Sequence, residues 1–135
     1  MTNEIIIVSF FIAMVVLTAI LEAIYIIRSK QKMIRGLIKK PGKEPEVKEF
    51  KNINEIYLTV GRTVEFKTFS NRSNIGMYCN DDGYLSGRPK NFTFGGYIIY
   101  GTVVFVGLDD EGTVKRLTSK QLLIIENYLD HNTIT

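Results

Sequence analysis

Residues 5–27 read IIIVSFFIAMVVLTAILEAIYII, a run of 23 with one ionisable side chain, Glu22. At about 1.5 Å per residue such a helix spans about 35 Å, and a hydrocarbon core is about 30 Å thick. Lipid requires every backbone N–H and C=O to be satisfied within the segment, and a helix does that. The stretch is expected to be one transmembrane helix, so residues 1–27 are expected to anchor the rest of the chain.

Working outward, charge sets the orientation. Residues 1–4 hold one acid and no Lys or Arg, whereas residues 28–43, RSKQKMIRGLIKKPGK, hold seven bases and no acid. Bases within about 15–20 residues of a span stay cytoplasmic. The expectation is therefore a single-pass protein of the cell membrane, N-terminus outside and C-terminal domain cytoplasmic. A cleavable signal would place its positive region first, with a shorter apolar core and a small-residue cleavage site. None of these is present, and a retained anchor is expected.

The formal net charge of +3 sits beside the span, because residues 44–135 hold 10 Lys/Arg against 12 Asp/Glu. That clustering points to anionic lipid headgroups, or to topology alone, rather than to nucleic acid. The single cysteine, Cys79, excludes an internal disulfide and reads as a small buried hydrophobe.

Residues 28–52 read as a basic juxtamembrane segment and linker. A helix continues over 28–40, Pro41-Gly42 ends it, and KEPEVKEFK at 43–51 leads into the domain. From 53 the period becomes two. Ile56, Leu58 and Val60 alternate with Glu55, Tyr57 and Thr59, which predicts a strand. Further strands are expected over 63–69, 75–79, 91–94, 97–108 (bent at Gly101) and 113–117. Turns fall at NDDG (80–83), Gly95-Gly96 and DDEG (109–112). Thr118-Ser119-Lys120-Gln121 fits a capping box, and Leu122, Ile125 and Leu129 recur at helical spacing. Residues 53–132 are thus expected to form a small mainly-β domain. It has six antiparallel strands, arranged as a barrel or a strongly twisted sheet, and a C-terminal α-helix.

Little here carries catalysis. Asp81-Asp82 and Asp109-Asp110-Glu111 adjoin glycines in turns, where Asp bonds its own backbone. No His or Cys joins them at metal-ligand spacing, and no phosphate-loop or dinucleotide fingerprint occurs. No catalytic residue, metal ligand or cofactor is assigned, and an enzyme is not expected. The sequons at Asn71 and Asn91 matter only in a secretory lumen. The most distinctive segment is Asn71-Arg72-Ser73-Asn74-Ile75-Gly76. It offers amide, guanidinium and hydroxyl groups and then a glycine that lets the backbone approach a ligand. The same residues also make an ordinary polar turn. Arg62 precedes the strand that leads into it.

Asn71-x-Ser73-x-x-Gly76 resembles the [D/N]-x-S-x-x-G signature of PilZ domains. The order of elements after it is similar: Leu85-Ser86-Gly87 after a turn, then a strand pair through YIIYGTVVFVG, and a closing helix TSKQLLIIENYL. The likeness covers about residues 53–130. It implies a six-stranded PilZ-like barrel that binds cyclic di-GMP, with Asn71 and Ser73 hydrogen-bonding the ligand and Gly76 permitting its approach. The family's R-x-x-x-R stretch has Arg35-Gly36-Leu37-Ile38-Lys39 as its nearest counterpart, with Lys at the second position. Arg72, Arg35 and Arg62 are the candidate phosphate partners. The expected function is a membrane-anchored cytosolic binding or adaptor module and cyclic di-GMP receptor. The alternative is a structural or interaction subunit of a membrane complex with a protein partner and no nucleotide. Ala19-x-x-x-Ala23 and Glu22 would support helix packing there.

Overall fold

The computed structural model describes residues 2–61 and 63–135. Two compact units divide the chain at Lys32/Met33. The first is one helix, α1 (Thr2–Lys32). Its span Thr2–Ser29 is long and apolar enough to cross a membrane, and none of that span is buried within the protein. Large apolar side chains stand exposed along it from Ile5 to Ile27.

The second unit, Met33–Thr135, is a mainly-β antiparallel domain with a C-terminal helix. It opens with β1 (Ile34–Lys39) and β2 (Glu46–Phe50), which form a hairpin. This corrects two expectations: residues 34–39 do not continue a helix, and 46–50 are not a linker. Leu37 and Ile38 are both buried, in different clusters, because the sheet buries both its faces here. A strand covered on two sides loses the alternation that would reveal it. The edge strand β2 conceals itself differently, through the charged residues that blunt edges.

Residues 53–60 are a third correction. They form a helix, α2 (Ile53–Val60), not a strand. Asn52 caps it, its side chain accepting from the Glu55 N–H at 3.0 Å, and the Glu55 carboxylate accepts from the Lys51 N–H at 2.8 Å. Gly61 closes the other end at φ 81. Ile56 and Val60, one turn apart, are buried, whereas Leu58, which period two would bury with them, is 82 % exposed.

The remaining elements are β3 (Val64–Ser70), β4 (Ile75–Asn80), β5 (Lys90–Phe94), β6 (Tyr97–Tyr100), β7 (Val103–Leu108), β8 (Val114–Lys115) and α3 (Ser119–Asn132). The main sheet runs β2-β1-β7-β4-β3, with β8 also on β7, and β5-β6 form a separate ribbon. Among the described residues this sheet is an open path from β2 to β3, where a closed barrel was one expectation. The expected long strand 97–108 is divided. Gly101 (φ 79) lets the chain leave the ribbon and enter the main sheet, and a Cβ there would sit 2.7 Å from Asn80 Oδ1. The ribbon turns at Gly95 and Gly96, both at positive φ, as a two-residue primed turn requires.

Strand β7 is buried throughout and divides the core. Val103 and Phe105 face one cluster with Leu37, Met77, Phe92, Ile125 and Leu129, covered by α3 and the ribbon. Val104 and Val106 face the other with Ile38, Phe50, Tyr78, Ile56 and Val60, covered by α2.

Candidate functional site

The Asn71–Asn74 loop joins β3 to β4. The Ser70 Oγ accepts from the Ser73 N–H at 3.1 Å, and Asn74 adopts φ 55, a left-handed conformation that Asn tolerates. The loop is tied to α3 by Gln121, which is 7 % exposed. Its Nε2 donates to the Ser73 and Asn74 carbonyls, both at 2.9 Å, while its Oε1 accepts from the Thr118 N–H at 2.9 Å. The Thr118 hydroxyl accepts in turn from the Gln121 N–H at 3.2 Å, completing the expected capping box. One amide thus starts a helix and holds a loop 47 residues earlier in sequence.

Between loop and helix lies a cleft of about 390 Å³. Arg72, Ser73 and Asn74 line one wall and Thr118, Lys120 and Gln121 the other, with Ile124 at the end. Among the described residues neither Arg72 nor Lys120 has a carboxylate partner. A second cavity, of about 330 Å³, also has Ile124 in its lining, together with Phe69, Phe94, Asn127 and Tyr128. Phe69 and Phe94 stack with centroids 5.4 Å apart, and Tyr128 meets Phe69 edge-on at 5.0 Å. The Tyr128 hydroxyl donates to the Thr93 carbonyl at 2.7 Å. Burial pushes that phenol above its usual pKa.

The candidate residues are therefore dispersed. Arg72 and Ser73 line the cleft; Asn71 is exposed at the start of the loop. Gly76 lies in β4 with the Phe66 ring over it, so that a Cβ would come within 2.5 Å of Phe66 Cζ. The space it leaves is filled by the protein's own ring. Arg35 lies on β1, where its Nε approaches Glu49 at 3.4 Å, and Arg116 grips the same carboxylate at 2.8 and 2.9 Å. Arg62 lies outside the described residues. Lys39, the counterpart of the second family arginine, is buried. Its Nζ donates to the Lys40 and Lys43 carbonyls at 2.9 and 2.7 Å, and burial lowers its pKa although Glu44 raises it.

Cys79 is in the core, and burial together with Glu65 pushes its thiol up to about 11. Asp109 spends its carboxylate on the N–H groups of Glu111 and Thr113, as a turn aspartate does. Lys120 and Ile124 in the cleft, and Asn127 in the second cavity, are residues that motif reading overlooks. Their only sequence signal is that they lie in or just after the capping box on one helix.

No curated protein and no solved structure matches this chain. A family described as a domain of unknown function, DUF3846, matches residues 34–132, from the first strand of the β-domain to the last residue of α3. The chain therefore belongs to the DUF3846 family, carrying that domain behind an apolar helix.

Proposed function

We propose that this chain is a single-pass membrane protein whose β-domain works on the cytoplasmic side as a binding or adaptor module. The observation that carries the reading is α1. It is long and apolar enough to span, none of that span is buried in the protein, and seven bases without an acid follow it in residues 28–43. The test is labelling of cells producing the full chain with a membrane-impermeant maleimide. The Thr2→Cys variant should react from outside, and Glu111→Cys only after permeabilisation. The reverse pattern, or recovery of the chain in the soluble fraction, would overturn the reading.

A finer form makes the domain a variant of the PilZ-like barrel and cyclic di-GMP its ligand. Its support is the N-x-S-x-x-G loop, whose Arg72 and Ser73 line a cleft with Lys120. It gains nothing from Gly76, covered by Phe66, or from Arg35, engaged with Glu49. Calorimetry of cyclic di-GMP against the full chain in detergent decides it. Heat that disappears in Arg72→Glu supports a receptor, and no heat at high micromolar ligand sinks it.

A second reading, an interaction subunit without a nucleotide, is favoured by one surface. Tyr84, Leu85 and Tyr97 are 72, 86 and 77 % exposed. Tyr84 and Tyr97 also line one shared cavity with Tyr100. Grouped exposed apolar side chains are the mark of a partner surface. A stoichiometric partner lost in Leu85→Glu but retained in Arg72→Glu would favour this reading.

A further inference from the structure

The two cavities along α3 differ in chemistry and meet at one side chain. The Arg72/Lys120 end holds two cations and no acid among its lining residues, and neither cation is paired among the described residues. The other end is walled by Phe69, Phe94 and Tyr128, with the Asn127 amide beside them. Ile124 belongs to both linings. Cavities of 300–1,000 Å³ with apolar walls and a few convergent polar groups are the usual form of small-ligand sites. Unpaired cations select an anionic group, Arg by its flat fork and Lys as a point charge. Flat aromatic walls select a flat ring.

We infer that this groove binds a small organic anion with a flat aromatic body, its charge between Arg72 and Lys120 and its ring against Phe69, Phe94 and Tyr128, passing over Ile124. The inference rests on the binding-module reading only in that a ligand exists. The N-x-S-x-x-G resemblance gives Lys120, Ile124, Asn127 and Tyr128 no ligand role. Phosphate and carboxylate are the two anions this end accepts, and the experiment separates them.

The probe is the Ile124 methyl signal in the full chain, isoleucine-labelled, in non-ionic micelles. The titrants are adenosine monophosphate, adenosine, adenosine 5′-carboxylate and inorganic phosphate. The monophosphate is expected to shift Ile124 saturably and adenosine at least about tenfold more weakly, since charge-assisted bonds are lost. If the 5′-carboxylate equals the monophosphate, the site takes any anion; if it falls with adenosine, it requires phosphate.

Lys120→Glu should weaken the monophosphate about tenfold. Asn127→Trp should obstruct the ring half while leaving weak phosphate binding at the cationic end. An unchanged melting temperature in each variant checks that the fold survives. No Ile124 shift at millimolar monophosphate, with guanosine monophosphate also silent, overturns the inference. So does binding that both variants leave untouched. Cyclic di-GMP heat without an Ile124 shift would sink the groove and spare the receptor reading. A monophosphate shift without cyclic di-GMP heat would do the opposite.

Discussion

Helices α2 and α3 cover opposite faces of the same sheet. Leu37 and Phe105 look toward α3, while their neighbours Ile38 and Val104 look toward α2. Each helix buries an i, i+4 pair, Ile125 and Leu129 in α3, Ile56 and Val60 in α2. They differ in what defines them. α3 has 14 residues and a complete capping box whose glutamine also holds a distant loop. α2 has 8 residues, below the length at which a helix is stable alone, so the sheet beneath must hold it. One helix is written into its own residues; the other is decided by what it lies on.

The largest losses are expected in the core, where each helix meets the sheet. Ile125→Ala and Ile56→Ala each empty a fully buried position and should each cost about 2–5 kcal/mol. Denaturant unfolding of the β-domain in detergent, followed by tyrosine near-UV circular dichroism, measures both. A negligible loss at Ile56 would remove α2 from the core.

Gln121→Ala comes next, at about 1–3 kcal/mol, because it removes the donor to the Ser73 carbonyl, leaves the Asn74 carbonyl with the Leu108 N–H alone, and opens the capping box. Its signature is faster hydrogen exchange in residues 71–74 as well as in the first turn of α3. Exchange altered at the helix alone would show that the loop holds itself.

Alkali probes both faces together. Burial raises the pKa of Cys79 and Tyr128 on the α3 side and of Tyr78 on the α2 side. Native structure thus favours the neutral forms. Their contribution is complete below the ordinary values near 9.0 and 10.0 and is lost as pH rises through the folded values, about 11 for Cys79. Stability should fall between about pH 9 and 11, less steeply in Cys79→Ala, when stability is measured against pH in both forms.

Asn52→Ala removes the α2 cap and should cost about 1 kcal/mol, read as a lower denaturation midpoint. Leu58→Ser should change stability by less than about 0.5 kcal/mol, since the side chain meets solvent. A loss like that of Ile56→Ala would restore the period-two strand.

The signal for α2 was present. Asn52-x-x-Glu55 is a capping pattern and Gly61 a helix stop. Period two prevailed because Ile56, Leu58 and Val60 all lie at even numbers, although only the first and last are buried. β1 was hidden for another reason. A strand buried on both faces alternates between two apolar sides, and its bases Arg35 and Lys39 suggested membrane topology rather than a sheet. Each has a partner inside the domain, Glu49 for Arg35 and two backbone carbonyls for Lys39. In the candidate site, Arg72 and Ser73 were legible from their motif. Gly76 misleads because a glycine that admits a ligand and one that admits a neighbouring phenyl ring are the same in sequence.

By itself, the sequence determined the apolar helix, the turns at Gly95-Gly96 and Asp109–Gly112, and α3 with its capping box. Each depends on composition or on contacts within a few residues. Only the tertiary structure decided that residues 34–50 are a hairpin, that 53–60 are a helix, and that Gly101 parts two sheets. Only there do Arg72 and Lys120 share a cleft. Those outcomes depend on which surface a segment meets far along the chain, and local periodicity carries no record of it.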